Sequence, residues 1–289
     1  MIFYIFASYK ITYKQMEKKI ILITGASAGI GLATAQLLMD KGMKVYAASR
    51  RGGENMKSTK NATGEIIHVK MDVNEEETIH STINQIISTD KKLDVVICNA
   101  GNGIAGSVED SSSEEIKYQF ETNFFGAVKT IQACLPIFRS QGYGKILATS
   151  SVAAIIPIPF QAFYSSGKAA LLVFMQALAM ELKPFNIQCC TILPGDTKTE
   201  FTAARKYTLA SQSTYSAYST TMEKSVSKME KDEENGVPPL NIAKVIAKQI
   251  MHKKMAVTVV PGIDYKIIAL LFRVLPKKVS LWIVGLIYG

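Results

Sequence analysis

A short apolar run, Lys19-Ile-Ile-Leu-Ile-Thr24, leads directly into T-G-A-S-A-G-I-G at 24–31. A stretch from Ile30 to Lys41 with helical apolar spacing follows, and Gly42 stops it. A β-branched run without polar alternation is the mark of a strand buried on both faces of a parallel sheet. Strand, glycine turn and helix in that order make the first βα unit of such a sheet. The glycines permit a tight turn and a close approach of backbone to phosphate oxygens, while the helix N-terminus adds free N–H groups and a positive dipole end. The spacing T-G-x-x-x-G-x-G has one more residue between its first two glycines than G-x-G-x-x-G, and a purely structural turn is the plainer alternative.

The alternation continues along the chain. Lys44 to Ser49 and Glu65 to Val73 read as the second and third strands, residues 75–88 as a helix, and Leu93 to Asn99 as a fourth strand. A helical region over 113–139, with Pro136 near its end, leads to a fifth strand at Lys145 to Ser150. A helix from about residue 163 ends at Pro184. A sixth strand covers Ile187 to Leu193, and a helix at about 241–252 precedes a seventh at Ala256 to Val260. Such alternation predicts βαβ units with right-handed crossovers. The expected fold class is α/β: a single-domain Rossmann fold with a doubly wound seven-stranded parallel sheet and helices on both faces. At 289 residues, 48% of them hydrophobic, the chain can bury a full core. The expected layout is an arm at 1–17, a Rossmann domain over 18–262 and an apolar tail at 263–289. The segment 196–239, rich in Ser, Thr, Lys and Glu, follows a strand's carboxyl end. It reads as a substrate lid or, equally, as a surface excursion.

Two local patterns carry chemistry. An NAD-binding unit places Asp or Glu at the end of the second strand to hold the ribose 2′-hydroxyl, but here that end reads A-A-S-R-R. Arg50 and Arg51 suit a 2′-phosphate, because guanidinium forks bind phosphate bidentately, and Ser27 in the glycine turn adds a hydroxyl. The pattern predicts NADP(H) over NAD(H); two solvated arginines are the plainer reading. Further along, Tyr164 precedes Lys168 by four residues, which puts both on one helix face a turn apart. An ammonium there stabilises phenolate and lowers the phenol from its free pKa of about 10, making it a usable general acid/base. Ser151, at the end of the fifth strand, offers a hydroxyl to meet that phenol and a substrate oxygen. A Y-x-x-x-K pair also arises by chance, and its weight comes from its company.

That company is extensive. T-G-A-S-A-G-I-G at 24–31, Asp72-Val73, Asn99-Ala-Gly101, Asn123 within F-E-T-N-F-F-G, Ser151, Tyr164-x-x-x-Lys168 and Pro194-Gly195 share an order and spacing with a known family. Over about residues 18–200 the chain resembles the short-chain dehydrogenase/reductase family, and Ser151 precedes Tyr164 by that family's usual thirteen residues. N-A-G-x-G-x-x-G-x-x-E-D, Q-F-E-T-N-F-F-G and P-I-P-F most resemble its branch of 17β-hydroxysteroid and retinol dehydrogenases. The resemblance implies that Tyr164 gives and takes the proton, Lys168 lowers its pKa and holds the nicotinamide ribose, Ser151 binds the carbonyl or alcohol oxygen, and Asn123 organises a water relay to Lys168. It implies a cofactor cradle of Gly25, Ser27, Gly29, Ile30 and Gly31. Asp72 and Val73 would meet the adenine, Asn99, Ala100 and Gly101 would line the adenosine side, and Pro194, Gly195, Thr197 and Thr199 would cover the nicotinamide and its phosphates. Thr197 stands where many relatives have an aliphatic residue.

The expected function is therefore NADP(H)-dependent interconversion of a ketone and a secondary alcohol. Ile158 and Phe160, with Ile104, Ile155, Ile156, Pro157 and Phe163, are expected around an apolar pocket that suits a hydroxysteroid, bile acid, retinoid or long acyl chain. The alternatives are 3-ketoacyl or generic carbonyl reduction, an epimerase or dehydratase variant, and a non-catalytic NADP(H) sensor or scaffold. Cys98, Cys134, Cys189 and Cys190 lack disulfide or metal spacing and read as reduced core residues, which points to the cytoplasm. With three scattered histidines besides, no metal site is expected. The net charge of +9 is spread without a basic stripe interleaved with aromatics, so solvated surface rather than nucleic-acid binding is expected. The apolar start is too short to span a bilayer and lacks signal-peptide features; residues 1–15 are expected to be a dispensable arm or an upstream start-site choice before Met16. The tail, interrupted by Arg273, Pro276, Lys277 and Lys278, predicts two short amphipathic helices. They would lie on a membrane interface, pack on the lid, or join subunits of a homodimer or homotetramer.

Overall fold

A computed structural model describes residues 18–53, 58–213 and 216–289; the expected arm at 1–17 lies outside the described residues. The chain opens with β1 (Ile20–Thr24), α1 (Gly29–Asp40), β2 (Lys44–Ser49), β3 (Thr59–Lys60), β4 (Glu65–Lys70) and α2 (Glu76–Asp90). Then come β5 (Val95–Cys98), β6 (Ile104–Ala105), α3 (Ser113–Phe120), α4 (Gly126–Gln141), β7 (Gly144–Thr149), α5 (Ala162–Glu181) and β8 (Ile187–Ile192). The last third holds β9 (Lys206–Tyr207), α6 (Ser219–Glu234), α7 (Pro239–Met251), β10 (Thr258–Val259), α8 (Ile263–Val274) and α9 (Lys277–Tyr288).

The main sheet runs β10-β8-β7-β5-β1-β2-β4-β3. Its first seven strands in that order pair in parallel, as expected. An eighth, two-residue strand is added: β3 pairs antiparallel with β4 at the edge. The chain adds strands outward from β1 on one side, then returns to β5 on the other. A crevice therefore opens between β1 and β5 at the strands' carboxyl ends, the usual ligand position of such sheets.

The pleat explains how both faces are covered. Ile20 and Leu22 point into one core with Ile131, Phe138, Leu171 and Met175 beneath α4 and α5. Ile21 and Ile23 point into the other with Leu38, Ile242, Ile246 and Ile250 of α1 and α7. Ile21, Leu22 and Ile23 are wholly buried, each contributing roughly 1.5–3 kcal/mol of transfer free energy. All four cysteines are buried and free within these layers. Among the described residues no His/Cys/Asp/Glu cluster could hold a metal, and no helix is long and apolar enough to cross a membrane.

The described residues of the segment 196–239 pack on one another and on the domain. β9 pairs with β6, Thr197 bridges to Val237, and α6 presents Met222, Val226 and Met229 to a small apolar cluster with Ala105. The tail forms the two expected helices, which break at Leu275-Pro276.

Candidate active site

The first βα turn builds one end of the crevice. Gly25 and Gly29 have φ of +66° and +53°, the left-handed region that glycine occupies without strain. A Cβ on Gly25 would stand 2.7 Å from Ala100 Cα, and one on Gly31 would stand 2.4 Å from the Gly25 carbonyl oxygen. The turn is pinned from β5: Asn99 and Ala100 backbone N–H groups both donate to Thr24 Oγ1 at 3.0 Å, and Asn99 Nδ2 donates to the Gly25 carbonyl at 3.2 Å. No side chain caps α1, so its first N–H groups are left for a ligand. At the end of β2, Arg51 Nη2 donates to Ser27 Oγ at 3.2 Å, joining the two residues that sequence spacing assigns to a 2′-phosphate.

The crevice is a cleft of about 940 Å³. Its wall holds Gly25, Ser27, Gly29, Ile30, Arg50, Arg51, Asp72, Val73, Asn99, Ala100, Gly101, Ser151, Ile158, Tyr164, Lys168, Pro194, Gly195, Thr197 and Thr199. Five buried polar atoms on the same wall have no partner: Ser49 Oγ, Asn74 Oδ1, Asn102 Nδ2, Thr149 Oγ1 and Gln161 Nε2. Unsatisfied buried donors and acceptors are costly, so such atoms mark ligand contacts. Together with a cradle that a Cβ would fill, they fit a dinucleotide.

The reacting end is assembled from β7 and α5. Beyond β7, Ser151 caps a single 3₁₀ turn, Val152–Ala154, and accepts from the Ala153 N–H at 3.1 Å. Its hydroxyl also faces the Tyr164 phenol and favours the ionised form of that group. One turn along α5, Lys168 is 4% exposed, donates to the Thr149 carbonyl at 3.0 Å and sits 5.7 Å from the centre of the Tyr164 ring. Asn123 lies in a π-helical turn, Glu121–Phe125, between α3 and α4, the wide-turn distortion common at functional sites. Its Nδ2 donates to Asn102 O and Oδ1, both at 2.9 Å, and to Gln119 O at 3.0 Å. Asn123 is thus behind the wall. It reaches the cleft through Asn102 and Gly101, where a Cβ would stand 2.8 Å from Asn123 Oδ1 and 3.5 Å from Lys168 Nζ. Gly31 likewise packs beneath the turn.

Two expectations need correction. Lys168 does not pull the phenol down: burial pushes Tyr164 up to about 12, with the Glu233 charge adding to this and the Ser151 hydroxyl and Arg205 opposing it. The ammonium is engaged by Thr149 and is itself pushed down to about 8 by burial. Desolvation outweighs the i, i+4 attraction, Lys168 being buried and Tyr164 half-buried. The second concerns the pocket. Of the expected apolar residues only Ile158 is on the wall. Phe160 turns away with φ of +60° and packs toward the α6 cluster, its carbonyl accepting from the Gly106 N–H at 2.9 Å. The apolar wall is instead Val152, Ala153, Phe201, Ala204 and Met229.

The segment 196–239 also contributes charge that sequence spacing left unseen. Arg205, its side chain fully buried, bonds Glu233 Oε1 at 2.6 Å and Glu230 Oε1 at 3.3 Å. Glu233 lines the cleft, and Phe201 lies between Arg205 and Tyr164, with ring centres 5.8 Å apart on the tyrosine side. Nothing in the local pattern around Arg205 or Glu233 distinguishes them from solvated charges. Thr197, buried, donates to the Gly195 carbonyl at 2.9 Å.

Comparison with known proteins agrees with this architecture. A family model described as short chain dehydrogenase matches residues 19–210. The chain is 39% identical over 239 residues to a 3-ketodihydrosphingosine reductase of Bacteroides thetaiotaomicron, covering 82% of this chain and 86% of that one. It is 31% identical over 195 residues to human 17-beta-hydroxysteroid dehydrogenase type 1, covering 64% and 59%. Its fold is similar to that of a short chain dehydrogenase/reductase from Burkholderia phymatum in complex with NAD (TM-score 0.75, 20% identity, 93% and 96% covered). A short chain dehydrogenase from Burkholderia cenocepacia in complex with NADP is also similar (TM-score 0.70, 21% identity, 92% and 97% covered). With the family model spanning the whole β1-to-β8 framework and most of the cleft it carries, the chain belongs to the short-chain dehydrogenase/reductase family of oxidoreductases.

Proposed function

We propose that this oxidoreductase uses NADP(H) to interconvert a ketone and a secondary alcohol on a long apolar substrate. The observation that carries the reading is the meeting of Ser151, Tyr164 and Lys168 at one end of a cleft whose other end holds Arg51 on Ser27. The nicotinamide, when bound, supplies the hydride. Ser151 and Tyr164 are two donors for the oxygen on which negative charge develops, and Tyr164 delivers the proton. Lys168, anchored on Thr149, holds the ribose, and Asn123 fixes Asn102 and Gly101 beneath it. Gly25, Ser27, Gly29, Ile30, Arg50 and Arg51 hold the phosphates. Asp72, Val73, Asn99 and Ala100 border the adenosine, and Pro194, Gly195, Thr197 and Thr199 cover the nicotinamide side. The segment 196–239 closes the cleft through Phe201 and Met229. Exposed Val173 and Met180 on α5 support a homo-oligomer, which light scattering tests.

For the substrate, the charge beside the phenol supports one reading over another. Glu230 and Glu233 outnumber Arg205 in the charge cluster behind Phe201. A cationic group next to the ketone offsets that negative field and eases proton transfer from Tyr164. This favours a long-chain amino ketone, the chemistry of the substrate named for the Bacteroides relative, over a neutral steroid, the class named for the human one. The assay is NADPH oxidation with 3-ketodihydrosphingosine, 17-ketosteroids and 3-ketoacyl thioesters. Turnover of a ketosteroid in preference to the amino ketone would reverse this ranking. Tyr164→Phe is expected to lose roughly 10²–10⁴-fold in kcat with NADPH still bound; retained turnover in that variant would remove Tyr164 from its role.

A further inference from the structure

The tail leaves a large apolar surface unpartnered among the described residues. In α8, Ile263, Ile267, Leu270 and Val274 recur at helical spacing, and their exposures are 77%, 54%, 59% and 72%. In α9, Trp282 and Leu286 are 63% and 67% exposed, opposite the buried Ser280 and Val284. Folded chains that stay free in water rarely show such a stripe. Four basic side chains accompany it, Lys266, Arg273, Lys277 and Lys278, all exposed, against one acid, Asp264.

The pattern selects an occupant. Lys266 and Arg273 flank the α8 stripe, and long basic side chains there keep their charge in water while the stem lies on apolar ground. A second copy meeting this face across a two-fold axis would bring the same cations together, which disfavours self-association. Each helix has only 12 residues, too few to span a bilayer. Apolar stripe, basic flanks and an exposed tryptophan are the composition of a helix that lies in an anionic membrane interface.

The inner faces of the same helices hold the wall of the cleft. Tyr265 of α8 packs its ring against Gly195, where a Cβ would stand 2.2 Å from the ring. Its hydroxyl accepts from the Asp196 N–H at 3.0 Å. Tyr288 of α9 packs on the cluster containing Met222, Val226 and Met229 of α6, and Gly195, Asp196 and Met229 line the cleft. We propose that α8 and α9 dock this protein on an anionic lipid surface, with the cleft wall built directly on the docked helices. A long-chain substrate then passes from bilayer to cleft without crossing bulk water; that last clause rests on the lipid-like substrate reading, whereas the docking does not.

Trp282 is the chain's single tryptophan and so a native reporter. Full-length protein is mixed with phosphatidylcholine vesicles with or without phosphatidylserine, and Trp282 emission and vesicle flotation are followed. Docking predicts a blue shift and flotation with anionic vesicles, falling about tenfold or more with neutral lipid or at about 0.5 M salt, where charges are screened within a few ångströms. Leu270→Glu with Val274→Glu, both exposed and clear of the cleft, is expected to lose binding at least about tenfold while turnover of a water-soluble ketone is unchanged. Failure of anionic vesicles to shift or float the wild-type protein overturns the proposal. So does a dimer that persists with lipid and dissociates in the double variant, since the face is then a subunit contact. Binding without turnover of any ketone would fault the substrate reading and leave the docking intact.

Discussion

Lys168 allows the burial argument to be tested as a number. Burial pushes its ammonium down to about 8 from an ordinary value of 10.5. At about 1.4 kcal/mol per decade, that shift costs the folded state about 3 kcal/mol at neutral pH. The sign follows from proton counting. Between about pH 8 and 10.5 the unfolded chain holds this proton and the folded chain does not, so stability rises with pH across that window. Tyr164, pushed up to about 12, stays neutral in the folded state, and ionisation of its unfolded form above about pH 10 is common to wild type and variant. Lys168→Met removes the charge and keeps the aliphatic stem, at the loss of the Thr149 hydrogen bond, worth about 1 kcal/mol. The variant is therefore expected to be more stable than wild type by about 2 kcal/mol near pH 7, though inactive. Its advantage shrinks and reverses as wild type gains about 3 kcal/mol by pH 10.5. Urea denaturation followed by circular dichroism at about pH 7, 8, 9 and 10 measures the difference directly, and pH effects common to both proteins cancel. A wild-type-minus-variant difference flat to within about 0.5 kcal/mol across that range would refute the claim that Lys168 is desolvated rather than solvated through the cleft.

Two further outcomes are expected. Arg51→Ala should weaken NADPH about tenfold or more and leave NADH within about twofold, since a charge-assisted bond to a phosphate is worth roughly 1.5–3 kcal/mol; nicotinamide fluorescence titration measures both, and parallel losses would show that Arg51 does not read the 2′-phosphate. Gly31→Ala places a Cβ 2.4 Å from the Gly25 carbonyl oxygen and 2.7 Å from Asn99 Nδ2, so the turn must move. A stability loss of about 1–3 kcal/mol and weakened binding of both nucleotides are expected, and an unchanged melting temperature would count against the close packing described.

Local physics made much of this protein legible from its residues. A buried parallel strand needs a run such as Ile20-Ile-Leu-Ile23, because both of its faces are covered, and its neighbours in the sheet carry the same mark. The glycine turn follows from φ alone, and Tyr164 shares a face with Lys168 because a helix repeats about every four residues. The break at Pro276 and the two tail helices were equally local. What tertiary structure decided depends on closure across long sequence separations and on burial. Asn123, in a π-helical turn, meets Asn102 from 21 residues away. Arg205 meets Glu233 only because α6 folds back over the cleft, and neither residue has a neighbour in sequence that foretells it. Phe160 left the pocket through one left-handed backbone torsion, and the pKa of Tyr164 rose because desolvation, a property of everything packed around it, outweighed the lysine one turn away.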